Sequence, residues 1–264
     1  MAKGKNERLL TDAVWAVWEP LIEEVRPRGK TPPKELRRTI SAILWRHQNG
    51  AEWRSIPAEL GPWWLAAQLF IRWAKAGVWE RLLDLVQQQG VALGMTFSTA
   101  PTSVLTTRQR VQKKGAHGRE RDLREALGRS RGGYGTKACV IADGRGRAIA
   151  FALAPGQAHE LPLAPGLLDS LPAEVPGWII GDRGYASDAF RERIWAMGAR
   201  PAIPPKRTDA PVACPAWIYN NRSRVENLWA RLKEWRAVAT RYEKTATSFL
   251  SVLCLAAAAD WIKL

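Results

Sequence analysis

The sequence predicts an α/β protein, with a small all-α domain over residues 1–90 followed by a mixed sheet with flanking helices over residues 91–264. Three observations carry this. Apolar residues recur at helical spacing through the first 90 positions. From about residue 93 the texture changes to short apolar runs separated by turn signals. After the third such run, helix-like and strand-like segments alternate, the pattern of a sheet covered by helices.

Thr11-Asp12 caps a first helix carrying Val14, Trp15, Val17, Trp18, Leu21 and Ile22. Pro32-Pro33 opens a second through Leu36, Ile40, Ile43 and Leu44. A turn follows at Asn49-Gly50. Pro62 opens a third helix through Leu65, Leu69, Ile71 and Trp73, ended by Gly77, and Val78 to Gln89 form a fourth. A helix-turn-helix between the second and third helices, or a plain helical cap, fits this periodicity. Met95 to Leu105 reads as one strand. Lys137–Ala142 and Arg147–Leu153 read as two more, joined by the hairpin signal Asp143-Gly144-Arg145-Gly146. Trp178-Ile179-Ile180 ends at Gly181-Asp182, Ser187 caps a helix to about Met197, and Pro201 to Ile203 is a brief strand. Helices near Arg222–Val238 and Thr247–Lys263 close the chain.

Forty Lys or Arg against 25 Asp or Glu give +15 and favour a polyanionic partner, most often nucleic acid. Residues 106–137 hold ten basic residues against three acids, +7 of that total, in a Gly-rich segment without apolar period. Charge this dense is repulsive without an anion, so a phosphate-tracking loop is favoured over a solvated one. Arg108, Arg110, Lys113, Lys114, Arg129 and Arg131 are its candidate contacts. The N-terminus has no apolar signal region. The longest apolar stretch, Phe249–Ile262, is shorter than the ~20 residues of a membrane span. Three scattered cysteines make neither a disulfide framework nor a metal pattern, which fits a reducing cytoplasm. The 14 Trp are read as core packing.

The most informative stretch is Tyr219, Arg222, Glu226 and Lys233. On one helix these fall within about 60° of a single face, beside an apolar face of Val225, Leu228, Leu232 and Trp235. A salt-bridge ladder is the usual meaning of such spacing. Asp182 points further, because it directly follows a buried strand, and ligands of open α/β sheets bind beyond the carboxyl ends of strands. Phosphodiester chemistry needs carboxylates from separate elements to hold two divalent cations. Mg2+, with Mn2+ as substitute, suits carboxylate oxygens, and no His/Cys site competes. His159 and Trp229 are weaker candidates, each more simply structural.

At these residues the chain resembles the DDE (Asp-Asp-Glu) transposases of the insertion-sequence-five kind, within the insertion-sequence-four superfamily. The Tyr219-Arg222-Glu226-Lys233 spacing is that superfamily's signature. Gly128–Gly133 with Thr136-Lys137, Asp182-Arg183-Gly184-Tyr185, Ile203-Pro204-Pro205 and Val238–Tyr242 resemble it too. So do Trp53–Pro57 and Arg72–Glu80 in the helical part. The resemblance implies an RNase H-like catalytic domain over 91–264 and a DNA-binding domain, helix-turn-helix-like, over 1–90. It implies Asp182 and Glu226 as the second and third acids and as metal ligands, with Tyr219, Arg222 and Lys233 toward DNA. The first acid falls in the register Ala100-Pro101-Thr102-Ser103-Val104, so Ala100 stands where the family has Asp. An engineered exchange and a naturally inactive copy both account for this.

The implied function is binding of terminal inverted repeats, metal-dependent strand cleavage and strand transfer to target double-stranded DNA. A homodimer on DNA in the bacterial cytoplasm, associated with the nucleoid and not a membrane, would perform it. Ala100 makes the chain inactive as written. A domesticated DNA-binding regulator without catalysis is the alternative, and a metal-dependent nuclease of the same fold is a third.

Overall fold

The computed structural model describes residues 10–29, 34–88, 95–99, 103–105, 118–130 and 133–262. In chain order the helices are α1 (Asp12–Val25), α2 (Leu36–Asn49), α3 (Trp63–Lys75), α4 (Val78–Gln87), α5 (Gly118–Arg124), α6 (Ala164–Asp169), α7 (Asp188–Ala196), α8 (Ala216–Tyr219), α9 (Ser223–Lys233), α10 (Arg236–Ala239) and α11 (Ala246–Ile262). The strands are β1 (Met95–Thr99), β2 (Ser103–Leu105), β3 (Gly128–Ser130), β4 (Gly133–Ala142), β5 (Ala148–Pro155), β6 (Trp178–Gly181) and β7 (Arg200–Ala202).

The chain forms two compact units, one of residues 1–88 with 232–264 and the other of residues 89–231. Sequence periodicity assigned 91–264 to a single domain, but the C-terminal helices pack with the N-terminal ones. α11 lies along α4 and α3, and α10 against α2. The reason is burial: eleven residues of α11 are buried around its whole circumference, so it is a core helix. Trp18, Phe70, Trp73, Trp79 and Phe249 fill the same interior. α1 starts as its cap residues dictate, Thr11 Oγ1 accepting from Val14 N at 3.3 Å. The turn at Asn49-Gly50 is the end of α2. Gly50 has φ 59°, and a side-chain carbon there would stand 2.7 Å from Arg236 Cβ. Between α2 and α3 lie two short 3-10 turns, Trp53–Ser55 and Ala58–Leu60. This connection is longer than the three or four residues of a helix-turn-helix.

This helical unit buries an ionic group. Arg46, His47 and Glu243 are all buried, with Arg46 paired to Glu243 and His47 Nδ1 3.7 Å from that carboxylate. Burial, and then the neighbouring Arg46 charge, push the His47 pKa well below its ordinary 6.5.

The second unit is a mixed sheet. β4 pairs antiparallel with β1 on one side, Val140 facing Thr99, and with β5 on the other, Val140 facing Phe151. β6 is parallel to β1, and β7 to β6. The order is therefore β5-β4-β1-β6-β7 with only β4 reversed, the arrangement of an RNase H-like sheet. β2 and β3 both pair with the start of β4, over Gly133–Lys137. The single strand expected over Met95–Leu105 is two, β1 and β2; the intervening Pro101 has no N–H to give a ladder. The segment expected as a loop to residue 137 carries α5, β3 and the start of β4 in its described part. The core beneath β4, β5 and β6 includes Ile141, Ile149, Ile179, Leu167, Phe190 and Ile194.

The β4–β5 hairpin also holds α9. Asp143 is fully buried and receives Arg145 N, Arg147 N and the Arg147 guanidinium. The turn carbonyls then face α9: Arg224 Nη1 donates to Gly144 O at 2.7 Å and Arg231 Nη2 to Gly146 O at 2.8 Å. Gly146 has φ 75°, and a side-chain carbon there would sit 2.8 Å from Arg224 O.

Two outcomes follow from this packing. Gly146→Ala should lower the unfolding free energy by about 1–3 kcal/mol, because it adds left-handed strain and a backbone clash; denaturant titration checks this. The His47 sign is fixed too. The unfolded chain binds a proton at His47 as pH falls through 6.5 and the folded chain resists it. Stability is thus full above 6.5 and declines as pH falls below it, and His47→Phe should flatten that part of the curve.

Candidate active site

Parallel direction places three strand ends together. Because β4 alone is reversed, β5, β1 and β6 share a direction and end at one edge of the sheet. At this edge Asp182 directly follows β6. It caps the 3-10 turn Arg183–Tyr185, with Oδ1 accepting from Gly184 N at 2.8 Å. The turn is anchored by Tyr185, buried in the core below. β1 ends at Thr99, and Ser98 is paired with Gly181, one residue before Asp182. Ala100, the next residue in the chain, lies outside the described residues, as do Arg108, Arg110, Lys113, Lys114 and Arg131. Arg129 is exposed on β3.

The other side of the site comes from α8 and α9. Tyr219, Arg222 and Glu226 are not on one continuous helix face, as their spacing suggested. Tyr219 ends α8, which starts after Pro215, and Asn220–Arg222 form a 3-10 turn before α9 begins at Ser223. The turn nevertheless keeps the three together. Arg222 Nη2 lies 2.6 Å from Glu226 Oε1, and its guanidinium stands 5.9 Å from the Tyr219 ring centre. Val225, Leu228 and Trp229 are the buried side of α9, and Trp229 meets Phe151 edge-on at 6.1 Å, so it fills the core. Lys233 ends the helix, and partial burial lowers its pKa.

Asp182, Arg183, Gly184, Pro204, Tyr219 and Arg222 line one open cavity of about 320 Å³, together with Glu160. Sequence reasoning named most of these residues but missed Glu160, and it read its partner Lys137 only as part of the basic segment and of the Thr136-Lys137 stretch. The Lys137 ammonium is bonded to Glu160 and to Ala158 O, and both side chains of the ion pair are largely buried. The signal was available: Glu160 follows His159 directly, and Lys137 closes the Thr136-Lys137 pair. His159 itself is exposed. Asp143 is a hairpin residue, ion-paired to Arg147 at 2.6 Å. Lys137 belongs to β4 and its ion pair rather than to an extended basic loop.

Among the described residues the donors do not complete a two-cation site. Asp182 and Glu226 are two carboxylates on separate elements, and Glu226 is shared with Arg222. Among the described residues no group of three His, Cys, Asp or Glu could hold a metal ion. What the cavity offers is a carboxylate edge of Asp182 and Glu160 with the Tyr219 phenol and the Arg222 guanidinium on its lining.

Comparison with known proteins gives the family of the chain. Residues 10–83 match the family described as "Putative transposase of IS4/5 family". Residues 101–212 and 179–263 each match a family described as "Transposase DDE domain". The "Putative transposase for insertion sequence element IS6501" of Brucella ovis is 30% identical over 132 residues, 98% of that protein and 48% of this chain. A 16.2 kDa protein of insertion element IS402 from Burkholderia cepacia is 32% identical over 87 residues, 30% of this chain and 57% of its own length. The crystal structures of a pre-cleavage Mos1 transpososome and of the Mos1 strand transfer complex are 12% and 13% identical. They cover 99% and 98% of this chain and 89% of each of those chains, with TM-scores of 0.28 and 0.29. The fold assignment rests instead on the strand order described above. The chain belongs to the insertion-sequence transposases of the IS4/5 family, with a DDE transposase domain on an RNase H-like sheet.

Proposed function

We propose that this chain recognises the terminal inverted repeats of its element and holds them at the Asp182 edge. In its active parent, strand cleavage and strand transfer to target double-stranded DNA are carried by Asp182, Glu226 and an aspartate at position 100. The observation that carries this is the shared direction of β1 and β6. Asp182 follows the pair Ser98–Gly181 by one residue and position 100 follows Thr99, so two of the three acids belong to adjacent strand ends. Arg222, which lines the same cavity as Asp182, is ion-paired with Glu226, and this supports assigning Glu226 to the site.

In this reading Arg222, Tyr219 and Lys233 contact the DNA backbone beside the reacting phosphate. Arg108, Arg110, Lys113, Lys114, Arg129 and Arg131 follow it further along. The N-terminal helices supply end recognition, and two copies pair two ends as a homodimer in the bacterial cytoplasm, at the nucleoid. Mg2+, or Mn2+ in its place, is the metal of the three-acid form. With Ala100 one bridging carboxylate is gone, so DNA binding persists and chemistry stops. Binding is slightly favoured by the loss, since a carboxylate close to phosphate is repulsive when no cation lies between.

Two measurements test this. The protein with Ala100 should bind end DNA in gel shift with no cleavage in Mg2+ or Mn2+, and Ala100→Asp should raise cleavage by at least about a thousandfold. Robust cleavage by the Ala100 protein would sink the assignment of that register. Separately, neutralising Arg108, Arg110, Lys113 and Lys114 together should reduce the slope of log affinity against log salt by about 3 to 4, near 0.9 per lost phosphate contact. An unchanged slope would mean that the segment makes no phosphate contacts.

A further inference from the structure

Arg183 follows Asp182 directly and lines the same cavity as Tyr219 and Arg222. Its main chain is firmly held. Arg183 opens the 3-10 turn that Asp182 caps, with Gly184 N donating to Asp182 Oδ1 at 2.8 Å. Ala186 N closes the turn on Arg183 O at 3.1 Å, and Tyr185 between them is fully buried. Arg183 itself is exposed. A fixed turn therefore carries a solvated guanidinium on the cavity wall.

The charge of this guanidinium is uncompensated. Among the described residues the cations lining the cavity are Arg183 and Arg222. Arg222 is ion-paired with Glu226 at 2.6 Å. Lys137, the partner of the cavity's Glu160, is engaged by that carboxylate and by Ala158 O. Arg183 has no ion pair and no side-chain hydrogen bond among the described residues. Every Asp and Glu of residues 89–231 is a described residue, so its unit holds no further carboxylate for it. The planar fork of a guanidinium matches two oxygens of one phosphate. Turning Arg222 onto a phosphate means sharing or breaking its pair with Glu226, whereas Arg183 gives up only water.

We propose that Arg183 is the principal phosphate-binding residue of this cavity. Its guanidinium takes the DNA phosphate held at the Asp182 edge, and Arg222 divides its charge between that strand and Glu226. The role rests on the reading that end DNA is held at this edge. The test uses the full chain with Ala100 and a duplex carrying the junction of element end and flank. Arg183→Gln should weaken binding about tenfold. It should lower the slope of log affinity against log salt by about 0.9, the value for one phosphate. Its thermal midpoint should match the parent's, since the residue is exposed. A variant that binds as the parent does, or whose midpoint falls along with its affinity, overturns the proposal. Neutral methylphosphonates, placed one at a time along the strand, locate the contact. At the junction phosphate, the combined loss from methylphosphonate and Arg183→Gln should be no more than about the larger single loss, because both remove one interaction. Losses that multiply there overturn the assignment. A scrambled duplex of equal length separates this role from end recognition. If the parent binds both duplexes equally, end recognition fails as the function. The slope on either duplex still decides the phosphate contact, and an unchanged slope in Arg183→Gln rejects it. A parent that binds neither duplex rejects both.

Discussion

The site depends on the direction of one strand. β4 runs against β1 and β5, and this reversal makes β5, β1 and β6 parallel to one another. Side chains that follow parallel strands emerge at a common edge, where main-chain pairing has ended and loops are free to carry polar groups. Asp182, Glu160 and the chain leading to position 100 all follow from this. β4 is also deeply buried: Ala138, Cys139, Val140, Ile141 and Ala142 are inaccessible. The element that sets the geometry is therefore among the hardest to displace. Burial pushes the Cys139 thiol up to about 11, so it serves as an inert small apolar residue there.

A second constraint is the seating of α9. Its apolar residues Val225 and Leu228 would bury against any apolar surface, but hydrophobic burial is non-directional and does not fix where along its axis a helix sits. The two arginine contacts to Gly144 O and Gly146 O supply that directionality. They lie on either side of Glu226 in sequence and so fix the height of its carboxylate relative to the sheet. The close approach also explains why a glycine, and not merely a turn residue, stands at 146.

The positive charge divides into two uses. Arg46, Arg147, Arg191, Arg224, Arg231, Arg241 and Lys137 bind carbonyls or carboxylates of this chain. Arg191 and Arg241 are almost wholly inaccessible. Net charge of +15 therefore overstates the surface available to a polyanion, since a guanidinium whose donors are satisfied inside the fold has little left for phosphate. Arg222 is different, being half-buried, paired with a largely exposed Glu226 and open to the cavity.

Local pattern determined much of this protein. Thr11 as a cap, Gly50 as a helix end, the hairpin at Asp143–Gly146 and the alternation after it all depend on neighbours within a few residues, so they were legible without coordinates. The same holds for Asp182, because a strand end announces itself through an apolar run followed by Gly-Asp. Tertiary structure alone decided the rest. A helix apolar on all sides, as α11 is, carries no direction in its pattern, and only packing shows that it joins the N-terminal helices. The break between Tyr219 and Glu226 was hidden because a 3-10 turn preserves nearly the same residue spacing as an α-helix. Glu160 and Lys137 are 23 residues apart, Lys137 on β4 and Glu160 in the loop five residues beyond β5. Their pairing follows from strand direction and register, which arise from long-range contacts and leave no trace in local spacing.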